Sequence, residues 1–260
     1  MGNLPTALIT GASGGIGLEL ARVFAKNNIN VALTARSENK LKELKRELEN
    51  NYGIKVTIIA LDLSDYNNSL HIYQYLKTEG VQIHYLVNNA GFGDYGFFHE
   101  SDWTKQEEMI NLNVTALTYL THLFLKDMVA RKSGKVMNVS STAAFQPGPL
   151  MSVYYATKAF VQHFSEAIAN ELKDSGVTVT ALCPGPTESN FQQAAEMGDS
   201  PLFKRKLPTS AEVAEYGFKA MMAGKTVAIH GVGNKILRQS GRFAPRKVLA
   251  AVVRKIQEAR

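Results

Sequence analysis

The chain has 260 residues, 45% hydrophobic and 20% charged, the proportions of an ordinary globular protein rather than a fibrous or disordered one. A chain this long buries enough surface to need no covalent staple. Its single cysteine, Cys183, excludes an intramolecular disulfide and fits a reducing, cytoplasmic setting.

At the N-terminus there is no basic segment followed by an apolar core, so no secretory leader is expected. Residues 1–6 match the loose myristoylation pattern, but Thr6 already begins an apolar strand and leaves no spacer for a lipid. That strand, over 7–10, runs into Thr10-Gly11-Ala12-Ser13-Gly14-Gly15-Ile16-Gly17 and then into a helix over 16–26. Glycine at these points serves sterics. Gly11 permits a tight turn, Gly15 lets the backbone approach a pyrophosphate, and Gly17 lets the helix pack on the sheet. Free amides at the helix start, by Ile16, would face the diphosphate, while the Ser13 hydroxyl is available to a 2′-phosphate.

The second strand, over 31–34, ends in Thr34-Ala35-Arg36-Ser37. An acid at this place holds the ribose 2′-hydroxyl of NAD; here it is missing and an arginine follows. A guanidinium suits a 2′-phosphate through paired, charge-assisted hydrogen bonds, so NADP(H) is the expected cofactor. A helix over 38–50 leads to a strand over 56–60 followed by Asp62-Leu63, and a strand over 83–87 is followed by Asn88-Asn89-Ala90-Gly91. A long helical pattern over 104–131 contains Asn111-Leu112-Asn113. The fifth strand, over 135–139, ends in Ser140-Ser141, and the helix over 153–173 carries Tyr154 and Lys158. At i, i+4 these two share a helix face. A nearby ammonium lowers a phenol's pKa from its ordinary value near 10, making it a proton donor and acceptor near neutral pH.

After the sixth strand, over 177–182, come Pro184-Gly185 and a long irregular segment, 190–209, with Gly198, Pro201 and Pro208 among apolar side chains. Long connections of this kind are lids or binding loops, and this one is expected to cover the substrate. A seventh strand is expected over 226–229. Strands alternating with helices, each strand a continuous apolar run, predict one α/β domain over 1–260, with a doubly wound seven-stranded parallel sheet and helices on both faces. No apolar run approaches the roughly 18–20 residues of a membrane span. The six histidines show no paired ligand spacing, so no metal is expected.

Together, the glycine turn, Asp62-Leu63, Asn88–Gly91, Asn111–Asn113, Asn138–Ser141, Tyr154–Lys158 and Pro184-Gly185 resemble the short-chain dehydrogenase/reductase family over almost the whole chain. The resemblance implies a Rossmann-type fold and a site for each residue. Tyr154 would be the acid in carbonyl reduction and the base in alcohol oxidation. Lys158 would lower its pKa and hold the nicotinamide ribose, Ser141 would orient the reacting oxygen, and Asn113 would bind a water linking Lys158 to solvent. Ser140 would face away from substrate. Asp62 and Leu63 would meet the adenine, and Asn89, Ala90 and Gly91 the adenosine ribose. Pro184 and Gly185 would lie under the nicotinamide, with the Thr187 backbone on its carboxamide. The alternative is a non-catalytic NADP(H) sensor or scaffold, which would have no need of the catalytic set.

Phe92, Phe145, Leu150, Met151, Phe191 and Met197 near the cleft suggest a ketone or aldehyde on a hydrophobic body, such as an acyl chain or a steroid-like ring system. The helices over 104–131 and 153–173 are apolar on more than one face, with Leu117, Leu120, Phe124, Phe160 and Phe164, which predicts a homodimer or homotetramer. The net charge of +6 is concentrated at the end: residues 225–260 hold nine Lys/Arg against Glu258 alone. The basic segment over about 234–260 shows no aromatic interleaving of the kind that stacks on bases, so no nucleic-acid partner is expected. Residues 246–257 place Val248, Leu249, Val252, Val253 and Ile256 on one face beside Arg246, Lys247, Arg254 and Lys255. That pattern fits a helix on an anionic membrane, and equally a helix packed on the domain or on another subunit.

Overall fold

The computed structural model describes residues 4–189, 191, 207–241, 243 and 245–258. Within them the chain alternates β1 (Thr6–Thr10), α1 (Gly15–Lys26), β2 (Asn30–Ala35), α2 (Glu38–Tyr52), β3 (Val56–Ala60), α3 (Asn68–Thr78) and β4 (Ile83–Asn88). There follow α4 (Trp103–Ile110), α5 (Leu117–Ala130), β5 (Gly134–Val139), α6 (Ser152–Glu171), β6 (Val177–Cys183), α7 (Ser210–Met222), β7 (Val227–Ile229), α8 (Val232–Gly241) and α9 (Arg246–Glu258). The substrate loop expected over 190–209, with Met197, lies outside the described residues apart from Phe191 and residues 207–209.

The seven strands form one sheet in the order β3-β2-β1-β4-β5-β6-β7, each pair parallel. Double-sided burial explains the unbroken apolar runs. In β1, Ala7 and Ile9 face one core with α1, α2 and α7, while Leu8 faces the other with α3, α5 and α6. The first core is keyed by Phe24 against Phe218, their rings edge-on at 5.0 Å. Phe124 and Tyr73 make a similar contact at 5.2 Å in the second. The order reverses between β1 and β4, and the crevice beyond their C-terminal ends is where such sheets take ligands.

The helix expected over 104–131 is one rod with an irregular middle. Between α4 and α5, residues Asn111–Ala116 form a π-helical turn. An i→i+5 turn of this kind inserts a residue into the helix and re-aims the side chains around it. Along α5, Leu117, Leu120 and Phe124 are buried in the core, so those three do not supply the outward face expected of them. On α6, Phe160 is exposed and stacks on Phe164 at 5.8 Å.

Candidate active site

The glycine turn is fastened to the loop after β4 before it can meet any ligand. Gly11 adopts φ +68°, and a Cβ on Gly17 would stand 2.3 Å from the Gly11 carbonyl oxygen and 2.4 Å from Asn89 Nδ2. Only glycine fits there. Thr10 Oγ1 accepts hydrogen bonds from the Asn89 and Ala90 amides, both at 2.9 Å, and Asn89 Nδ2 donates to the Thr10 carbonyl at 2.9 Å. The Asn89 side chain is thereby committed to holding the turn. Gly14, the residue before α1, caps no amide with a side chain, so the first-turn N–H groups stay free beside Ser13, Gly15 and Ile16, which line the cleft.

At one end of the cleft, Arg36 follows β2 and is largely exposed, with Nη1 3.9 Å from Asp62 Oδ2. Asp62 Oδ1 accepts from the Ser64 amide and hydroxyl, both at 2.9 Å, so the aspartate is fixed while the guanidinium stays free to turn. Leu63, Ala90 and Gly91 continue the lining. From there a single cleft of about 1230 Å³ runs to Tyr154. Open glycine backbone, free helix amides and a terminal arginine are the donor set an extended diphosphate requires, and the residues present fit a dinucleotide.

At the other end the catalytic candidates converge. Ser141 follows β5 and lines the cleft together with Tyr154, and its Oγ accepts from the Ala143 amide at 3.1 Å. Lys158 Nζ lies 5.8 Å from the Tyr154 ring centroid and donates to the Val139 carbonyl at 2.9 Å. Ser140 turns the other way, donating to the Lys158 carbonyl at 2.8 Å and tying β5 to α6. Asn113, in the π turn, donates through Nδ2 to the Phe92 carbonyl (2.9 Å) and to Thr157 Oγ1 (3.1 Å), and accepts from the Phe92 amide at 3.2 Å. Both its amide hydrogens are used, so the side chain positions the loop after β4. Its Oδ1 and the Lys158 ammonium flank Gly91, where a Cβ would stand 2.8 Å and 3.4 Å from them respectively. Thr142 N bonds the Pro184 carbonyl at 2.8 Å, and the Thr187 hydroxyl is spent on the Gly185 carbonyl at 2.9 Å.

The expected acidification of Tyr154 by Lys158 is not what this geometry produces. Burial raises the phenol above its ordinary value, opposed in part by the neighbouring Ser141 hydroxyl. Burial also lowers the Lys158 ammonium, to about 8. Desolvation disfavours both charged forms. Burial thus favours the neutral, proton-donating form of Tyr154. Cys183 is fully buried, donates to Gln162 Oε1 at 2.8 Å, and is pushed up to about 12 by burial, so it is no nucleophile.

Of the apolar residues expected around a substrate, Phe92, Met151 and Phe191 line the cleft, with Phe191 5.2 Å from the Tyr154 ring. Phe145 instead packs against Ala181, Cys183 and Ile229 beneath Arg238, and Leu150 is not in the lining. The unforeseen wall is α9. Val253 and Gln257 are buried. Gln257 Nε2 donates to the Tyr155 hydroxyl at 2.7 Å, and its carbonyl accepts from Tyr95 at 2.9 Å. A buried glutamine on a basic helix carries no sequence signature; only the Val253–Gln257 i, i+4 spacing hints at an inward face. Among the described residues, no group of three or more metal-ligating side chains occurs, and no helix is long and apolar enough to cross a membrane.

The profile of the short chain dehydrogenase family matches residues 5–199. Among similar proteins, the very-long-chain 3-oxoacyl-CoA reductase of Anas platyrhynchos is 36% identical over 185 residues, covering 68% of this chain and 58% of that protein. The 17-beta-hydroxysteroid dehydrogenase type 3 of Mus musculus is 37% identical over 182 residues, with the same coverage. The chain thus matches little more than half the length of either relative. Among solved structures, a short-chain dehydrogenase from Sphingobium yanoikuyae in complex with NADPH superposes with a TM-score of 0.83 at 30% identity, covering 92% of this chain and 94% of that one.

Proposed function

This chain belongs to the short-chain dehydrogenase family, and on that premise we propose that it reduces a ketone or aldehyde on a lipophilic body with NADPH. The observation that carries the reading is the convergence of Ser141, Tyr154 and Lys158 at the end of a cleft whose other end offers Arg36, with no acid at the end of β2. A protein that only sensed the nucleotide would have no use for that catalytic end. When bound, the nicotinamide supplies the hydride. Arg36 and the α1 amides hold the phosphates. The Ser141 hydroxyl orients the carbonyl oxygen, and the neutral Tyr154 phenol donates a proton to it as negative charge develops. The Lys158 ammonium, still charged below a pH of about 8, stabilises the phenolate this leaves.

Phe92, Met151, Phe191 and Val253 favour an apolar substrate body, and the names of the similar proteins, a 3-oxoacyl-CoA reductase and a hydroxysteroid dehydrogenase, point the same way. The test is a carbonyl panel with NADPH and NADH. Turnover should favour long acyl ketones and steroid-like ketones with NADPH; turnover confined to small polar sugars overturns the substrate reading. An apolar groove on the α4–α6 face, with Phe98, Ile110, Val114, Val153, Ala156 and Phe160, supports a homodimer or homotetramer across that face. Light scattering at micromolar concentration tests it, and a monomer mass refutes it.

A further inference from the structure

The C-terminal helices carry an unusual surface. Among the large apolar side chains exposed in the fold, Val232 and Ile236 of α8, Phe243, and Val248, Val252 and Ile256 of α9 are all at least 44% exposed, and Phe243 reaches 88%. The face of residues 246–257 that the sequence brings together is divided by the fold. Val253 and Gln257 turn inward to the cleft, leaving Val248, Val252 and Ile256, spaced i, i+4, i+8, as a stripe facing out. Residues 225–260 carry a net charge of +8, against −2 for the rest of the chain. Arg238 and Arg254 have acidic partners in Glu166 and Glu258. Among the described residues Lys235, Arg246, Lys247 and Lys255 form no ion pair.

An outward apolar stripe along one helix marks a contact surface, and its flanking cations fit an anionic lipid surface rather than a neutral partner. The patch also reaches the cleft. Ile256, with 44% of its surface exposed, lines the same cavity as Tyr154, as do its neighbours Lys255 and Gln257.

We propose that the outward apolar stripe of α9, with its flanking cations, docks on an anionic lipid bilayer, so that the substrate end of the cleft opens at the membrane surface. The docking stands on the exposed residues and charge alone; the entry of substrate from the bilayer rests on the functional reading above. A lipophilic carbonyl compound would then pass from bilayer to Tyr154 along Ile256 and Val253 without crossing bulk water. The Gln257 bonds to Tyr95 and Tyr155 hold this wall in place on the protein side.

The test is co-sedimentation of the full chain with vesicles of phosphatidylcholine alone and of phosphatidylcholine mixed equally with phosphatidylglycerol. The native protein should sediment with the mixed vesicles, weakly with the neutral ones, and be released by high salt. The double variant Val248→Glu with Val252→Glu changes two exposed side chains outside the catalytic and nucleotide-binding machinery. It should lose on the order of tenfold or more in vesicle partition, from lost apolar burial and added negative charge, with its far-ultraviolet circular dichroism and NADPH affinity unchanged. Equal binding to both vesicle types, or equal binding by the variant, overturns the proposal. So does a native oligomer whose mass falls in the variant, because the patch then belongs to a second copy. Turnover of a short, water-soluble ketone separates the two claims: vesicle binding without turnover of any carbonyl leaves docking standing and removes the catalytic reading.

Discussion

Replacing Gly17 by alanine tests how the cofactor cradle is built. Within a helix the exchange should help by about 1 kcal/mol on intrinsic propensity. Here the added methyl meets the Gly11 carbonyl oxygen at 2.3 Å and Asn89 Nδ2 at 2.4 Å, and neither can retreat cheaply. Gly11 is backbone at φ +68°, and Asn89 is held by its bonds to the Thr10 and Gly11 carbonyls at 2.9 and 3.3 Å. Overpacking of this kind costs roughly 1–3 kcal/mol, and losing the asparagine bonds about 1 kcal/mol each. Set against the propensity gain, the net destabilisation is about 2–4 kcal/mol, a fall in Tm of roughly 5–15 °C for a domain of this size. Urea unfolding and NADPH titration by nicotinamide fluorescence measure both consequences. NADPH affinity should fall with stability, because the same displacement moves the Gly11 and Asn89 backbone. An unchanged or higher Tm with native affinity refutes the account of the turn.

Arg36→Ser should weaken NADPH binding by roughly tenfold to a hundredfold, the scale of a lost charged hydrogen bond, while leaving NADH binding nearly unchanged; equal losses for both would show that the arginine does not read the 2′-phosphate. Lys158 is held near 8 against an ordinary value of 10.5, so below pH 8 both folded and unfolded chains carry the charge and its burial penalty is present in full. Between about 8 and 10.5 the unfolded chain binds the extra proton, and the penalty is relieved as pH rises. Lys158→Met should therefore be more stable than the native protein at pH 7 by up to about 3 kcal/mol, less about 1 kcal/mol for the hydrogen bond lost at the Val139 carbonyl. That advantage should shrink toward pH 10; urea midpoints at the two pH values that differ by the same amount contradict it. In the native protein, reductive turnover should decline above about pH 8 as Lys158 loses its charge, with the phenol still protonated; a profile flat through pH 10 removes the lysine from the mechanism.

Much of the molecule was legible before the fold was known, for identifiable reasons. Double-sided burial leaves unbroken apolar runs such as Leu8-Ile9 and Ala32-Leu33, and each became a strand of the parallel sheet. The glycine turn was legible because steric demands at Gly11 and Gly17 leave no other residue possible. The π turn at Asn111–Ala116 was not, since one inserted residue barely disturbs an apolar periodicity near 3.6. The proton balance of the site was also hidden. The i, i+4 spacing places Lys158 near Tyr154 but says nothing of burial, which here raises the phenol and lowers the amine. Nor could spacing assign the Asn113 amide to the Phe92 backbone, or Gln257 to the wall beside Tyr155, because both contacts join segments distant in sequence.

The most direct measurement compares Tyr154→Phe with the native protein on one lipophilic ketone, recording kcat by NADPH oxidation and the NADPH Kd in parallel. Losing only the phenolic hydroxyl should lower kcat by roughly a hundredfold to ten-thousandfold, the range of a general acid, with Kd nearly unchanged. A variant that keeps native turnover would show that the proton reaches the carbonyl oxygen from some other group.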